Sequence, residues 1–156
     1  MLNIVKITDY MSEDLITLDL KSKTKEAVLE ELSGLMAKSP NIQDKNVIKK
    51  ALMEREELGS TGIGKGIAIP HAKTDTASKL TIAFGISKEK IDFDSLDNEG
   101  VNIFFVFASP MKDSQVYLKV LARISRLIRE EEFRNELLAC KTPAEVIECI
   151  NKKETV

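Results

Sequence analysis

The stretch GSTGIGKGIAIPHAK, residues 59–73, gathers four glycines just ahead of the only histidine in the chain. Each residue type in it has a chemical use. Glycines let backbone N–H groups approach an anion, and the hydroxyls of Ser60 and Thr61 add donors beside the amides of Gly62 and Gly64. His71 follows Pro70, which holds Ile69 in extended geometry and so helps to fix the direction of the imidazole. Taken alone, the glycines fit a plain chain reversal as well as an anion loop.

The run GSTGIGK satisfies the first part of the phosphate-loop pattern G-x-x-x-x-G-K, but Gly66 stands where a magnesium-binding Ser or Thr is needed. The context also fails, because the stretch follows a helical pattern and opens an extended one, the reverse of a phosphate loop. Nucleotide binding is therefore not expected. One histidine with Cys140 and Cys149, which lack metal or redox spacing, does not make a zinc site, and both cysteines are expected to be small apolar packing residues.

Arg55 is the second residue with chemistry in it. Along DKNVIKKALMEREELG, at 100° per residue, Val47, Ile48, Ala51, Leu52 and Leu58 fall on one apolar stripe, with Arg55 near its centre and Glu54, Glu56 and Glu57 on the wet side. Arg55 either complements the negative end of the helix dipole or, one turn before the glycines, binds an oxyanion at two points. Arginine, hydroxyls, glycine amides and a histidine together suit a phosphoryl group.

The elements that must position these groups are well punctuated. DLITLDL alternates as a strand does, and KSKTKEAVLEELSGLMAKSP has helical spacing at Ala27, Val28, Leu32, Leu35 and Met36 up to Pro40. Asp44 is an N-cap for the next helix and Gly59 the residue just past its end. GIAIPHA, KLTIAFGISK and VNIFFVFASP are expected strands, the last apolar enough to be buried on both faces. SQVYLKVLARISRLI, EEFRNELLAC and TPAEVIECI are expected helices, the third capped by Thr142 with Pro143 in its first turn. Helices flanking a central sheet make an α/β or α+β sandwich, with strand order and direction left open.

Composition limits the functions worth considering. With 156 residues, 43% apolar content and no linker or repeat, the chain is expected to be a single domain over residues 1–156. A net charge of −2 argues against a broad nucleic-acid footprint, and no run is long and apolar enough to span a membrane. The start MLNIVKITDYMSEDL lacks the basic-then-apolar order of an export signal, so the expected compartment is the cytoplasm.

The run EREELGSTGIGKGIAIPHAKT resembles, almost letter for letter, the signature of enzyme IIA of the fructose–mannitol class in the phosphoenolpyruvate-dependent sugar phosphotransferase system. The likeness extends from ITDYMSEDLITLDL through IDFDSLDNEGVNIFFVFASP to FRNELLACKTPAEVIECI. It implies a mixed sheet between helices, no cofactor and no metal. It also implies a phosphoryl carrier that takes the group from the phosphocarrier HPr on His71 and passes it to a cysteine of enzyme IIB, with Arg55 as electrostatic partner. Thr61, together with Ser60, would help to neutralise the phosphoryl oxygens. Members commonly carry a second active-site histidine in HL..LA.I; here YLKVLARI puts Tyr117 at that position, as a hydrogen-bond donor or as core. The resemblance leaves two roles: a transport relay for fructose or a related sugar, towards which PHAKTD and IAFGISKEKIDFDSLD lean, or a nitrogen-type regulatory IIA protein acting through phosphorylation-dependent binding.

Overall fold

The computed structural model describes residues 5–154; the first four residues of the expected domain and of its start, and the last two, lie outside. Two short 3₁₀ turns, Ile7–Tyr10 and Glu13–Leu15, lead into β1 (Ile16–Thr17). The chain continues through α1 (Lys25–Met36), α2 (Lys45–Glu57), β2 (Gly62–Gly64), β3 (Ile67–Ala68), β4 (His71–Lys73), β5 (Thr81–Ile91) and β6 (Val101–Ser109). It closes with α3 (Ser114–Leu127), α4 (Glu131–Ala139) and α5 (Pro143–Glu154).

The sheet is mixed, in the order β1-β5-β6-β3-β2, with β4 also on β6. The long antiparallel pair β5–β6 is its spine, while β1 runs parallel to β5, and β3 and β4 run parallel to β6. Alternation along β6 sends Phe104 and Val106 to one face and Ile103, Phe105 and Phe107 to the other. The first face packs on Leu29, Leu32 and Met36 of α1 and Ile48 and Leu52 of α2; the second packs on Val120 and Ile124 of α3, Phe133 of α4 and Val146 and Ile150 of α5. This is the expected sandwich of helices on a mixed sheet.

The helix ends follow the local signals. Asp44 accepts from the amides of Asn46 and Val47, and Thr142 from that of Glu145. Two expected strands are cut down. In DLITLDL the strand is cut to Ile16–Thr17, because Leu15 before it belongs to a 3₁₀ turn, although the Leu20 N–H still donates to the carbonyl of Ile86 in β5 at 2.9 Å. GIAIPHA breaks at Ile69–Pro70 into β3 and β4, since proline has no N–H for the ladder; its carbonyl still accepts from Phe107, at 2.9 Å. Cys140 and Cys149 are free, half-buried thiols packed on the α3–α5 core, as expected of packing residues, and burial, then the neighbouring Cys140 and Glu136, push the pKa of the Cys149 thiol up to about 12.

Candidate phosphoryl site

The glycine stretch is a β-hairpin. Gly64 pairs with Ile67 across the two-residue turn Lys65–Gly66, whose φ values of 59° and 82° are both left-handed, as in a type I′ turn. Gly62 leaves no room for a side chain, because a Cβ there would run into the side chain and backbone of Ser95. The hairpin returns the chain along β6 and so delivers His71 to the end of the sheet, between α2 on one face and α3 on the other.

His71 is half-buried and held from both sides. Its Nδ1 lies 2.9 Å from the carbonyl of Ile69, and its Nε2 lies 3.1 Å from Nε of Arg55. A carbonyl only accepts, so Nδ1 carries the proton and donates it; Nε2 then keeps its lone pair and accepts from the guanidinium. Both contacts select the neutral Nδ1–H tautomer. Burial lowers the imidazole's pKa first, the Ile69 hydrogen bond opposes this, and the Arg55 charge lowers it further.

Arg55 also donates from Nη1 to the carbonyl of Gly59, 2.8 Å away. The two readings of this arginine therefore coexist: one nitrogen satisfies a carbonyl past the end of α2 while another addresses the imidazole. The apolar stripe, however, is turned from its expected place. The buried line of α2 is Ile48–Leu52–Glu56, while Val47 is 41% and Leu58 85% exposed. Glu56, expected on the wet side, is 8% exposed; it accepts from the backbone N–H and the hydroxyl of Thr61 and pairs with Lys25 at 3.0 Å.

Those bonds also decide the fate of the loop donors. The Thr61 hydroxyl is committed to Glu56, and Ser60 donates to the carbonyl of Phe93 at 2.6 Å and accepts from the amide of Gly62. Gly64 belongs to the hairpin ladder. None of Ser60, Thr61, Gly62 and Gly64 borders the cavity over His71; the hydroxyls of Ser60 and Thr61 instead tie the hairpin to the carbonyl of Phe93 and to Glu56 of α2.

Tyr117 does reach the site. It is 5% exposed, its ring centroid is 5.8 Å from that of His71, and it stacks edge-on against Phe107 at 5.6 Å. Burial raises its phenol pKa, opposed by Arg55, so the hydroxyl stays protonated and able to donate at neutral pH. Arg55, His71 and Tyr117 together border a cavity of about 710 Å³, with Leu58 and Lys73 on the same wall. Lys73 was missed in the sequence because nothing in its spacing separates it from a solvated lysine. Arg55 and Lys73 bring two cations to a cavity that Glu54 and Glu57 of α2 also border, and donors beside a neutral, oriented imidazole suit an electrophilic oxyanion.

Among known proteins, the family model described as phosphoenolpyruvate-dependent sugar phosphotransferase system, EIIA 2, matches residues 9–153. A PTS system fructose-specific EIIABC component of Bacillus subtilis is 37% identical over 150 residues, covering 96% of this chain but 24% of that protein, so the chain spans about a quarter of this relative's length. A PTS system fructose-specific EIIA component of Haloferax volcanii is 36% identical over 141 residues, covering 90% of this chain and 92% of the relative. The crystal structure of nitrogen regulatory protein IIA-Ntr from Neisseria meningitidis superposes with a TM-score of 0.86 at 28% identity, covering 92% of this chain and 98% of that one.

Proposed function

The chain belongs to the EIIA 2 family of the phosphoenolpyruvate-dependent sugar phosphotransferase system, and from that premise we propose that it is a phosphoryl carrier in which Nε2 of His71 is the accepting atom. The observation that carries this is the pair of hydrogen bonds on the imidazole, 2.9 Å from Nδ1 to Ile69 and 3.1 Å from Arg55 to Nε2, which leaves one nucleophilic lone pair on the nitrogen that the guanidinium addresses.

Arg55 occupies that lone pair in the unphosphorylated state, so acceptance begins with its displacement. The guanidinium turns its donors from Nε2 to the incoming phosphoryl oxygens, while the Gly59 carbonyl keeps its head at the cavity. The Nε2–P bond forms as the P–N bond of the donor phosphohistidine breaks, through a loose transition state whose charge is spread over the oxygens. The ring gains positive character as Nε2 bonds phosphorus, and the Nδ1–H donation to Ile69 stabilises it. Release reverses the geometry: Nε2–P breaks as a P–S bond forms on a thiolate of enzyme IIB.

The donor in this reading is HPr and the acceptor an enzyme IIB, which fits a relative whose name joins A with B and C components. The chain then works as one IIA domain in the cytoplasm, relaying phosphoryl groups for fructose or a related sugar. The likeness to a nitrogen regulatory IIA protein supports a second reading, in which the phosphorylation state controls binding to partner proteins. Phosphorylated chain incubated with a fructose-type enzyme IIB separates the two: transfer of the label to the IIB cysteine within seconds is expected of the relay. Label that stays on the chain would refute it in favour of the regulatory reading.

A further inference from the structure

Lys73 stands two residues beyond His71 in β4, so both side chains leave the strand on the same face and both border the cavity. Its Nζ lies 5.6 Å from the centroid of the Tyr117 ring, the same ring that flanks the imidazole. Among the described residues neither Lys73 nor Arg55 forms an ion pair, although Glu54 and Glu57 of α2 also border the cavity. Neither cation beside the oriented nucleophile is held in an ion pair, so both are available to an incoming anion.

We propose that Lys73 is a second cationic ligand of the phosphoryl group on His71, steadied on the ring of Tyr117 and closing on the oxygens that Arg55 does not engage. This rests on the carrier function proposed above and extends it. Arg55 approaches from α2, Lys73 from β4, and the phosphoryl group lies between them, with Tyr117 of α3 as a wall that keeps the lysine arm from drifting into solvent.

The contact is testable without any protein donor. Potassium phosphoramidate supplies a phosphoryl group directly: Nε2–P forms, the P–N bond of the reagent breaks and ammonia leaves. The ³¹P resonance of His71-phosphorylated protein is then titrated in wild type, Lys73→Ala, Lys73→Arg and Lys79→Ala; the last removes an exposed lysine that does not border the cavity. In Lys73→Ala the protonation midpoint of the phosphoryl group should rise by about half a unit, the effect of losing a partly exposed opposite charge. Lys73→Arg should restore most of the shift and Lys79→Ala should show none. With phospho-HPr as donor, Lys73→Ala should lower kcat about tenfold with little change in KM. An unchanged ³¹P midpoint in Lys73→Ala, with a raised KM and an intact kcat, would overturn the proposal and make Lys73 a docking contact for a partner protein. The carrier function is judged separately: wild type that phosphoramidate labels and phospho-HPr does not would refute that function, while the ³¹P comparison still decides the role of Lys73.

Discussion

Replacing Glu56 tests whether the strut that ties α2 to the glycine hairpin has been understood. Its carboxylate is 5% exposed and receives the Thr61 amide at 3.1 Å, the Thr61 hydroxyl and the Lys25 ammonium at 3.0 Å. In Glu56→Ala the two Thr61 donors, on a residue 4% exposed, lose their acceptor, at about 1–3 kcal/mol for each unsatisfied group. The loss from Lys25 is smaller, because that ammonium is 22% exposed and keeps Asp94 at 3.6 Å and the face of Phe93 at 4.7 Å. A total of about 3 kcal/mol follows, a large part of the stability of an ordinary domain. Glu56→Gln, which keeps the shape and one acceptor oxygen, should lose about half as much. Urea denaturation followed by circular dichroism measures both, with the m-value unchanged. A Lys25→Met/Glu56→Gln double variant should be less destabilised than the sum of its singles, because each single strands the other's partner. If Glu56→Ala shifts stability by less than about 0.5 kcal/mol, as a solvent-facing glutamate would, the account of the strut is wrong.

His71 should titrate below its ordinary value of about 6.5, since burial first and the Arg55 charge next disfavour the imidazolium. The neutral ring's contribution to stability is then present above about pH 6.5 and is lost as pH falls through the folded value, while phosphoryl acceptance stays flat from about pH 8 down past 6.5 and declines only as pH falls through the folded value. An NMR midpoint at or above 6.5 would contradict both. Arg55→Ala should raise that midpoint and slow transfer by about 10²-fold or more with the fold intact, because Leu52 and Ile48 on the core side are untouched. Arg55→Lys should recover little, since one ammonium cannot hold Gly59 and address the imidazole as the planar fork does; wild-type transfer rates in folded Arg55→Ala would reduce the residue to a helix cap. Tyr117→Phe keeps the ring and removes one donor of about 1 kcal/mol, so transfer should slow by about tenfold or less. No change in rate or in the His71 titration would make Tyr117 packing alone.

What the sequence disclosed and what it withheld divide along physical lines. Caps and turn residues act locally, so Asp44, Thr142 and Pro143 placed the ends of α2 and α5 correctly, and the unbroken apolar run of β6 announced a central strand. The stripe on α2 misled because periodicity records which residues are apolar and not what covers them. Leu58 is apolar at the rim of the cavity, whereas Glu56, charged, is buried because Lys25 and Thr61 come from elsewhere in the chain to satisfy it. The donors of Ser60 and Thr61 looked free for the same reason: the carbonyl of Phe93 that takes the Ser60 hydroxyl is 33 residues away. The partner that fixes the tautomer of His71 is a backbone carbonyl, which no residue type can reveal. Arg55 and His71 were legible as a pair because the helix, hairpin and strand between them are short and strongly signalled.

The most direct measurement labels the histidine of the chain with ¹⁵N, phosphorylates it with enzyme I, HPr and phosphoenolpyruvate, and locates the phosphorus by ¹⁵N–³¹P coupling. A single phosphoryl group on Nε2 of His71, absent from His71→Ala, is the expected result. Attachment at Nδ1, or equal labelling of His71→Ala, would contradict the account at its centre.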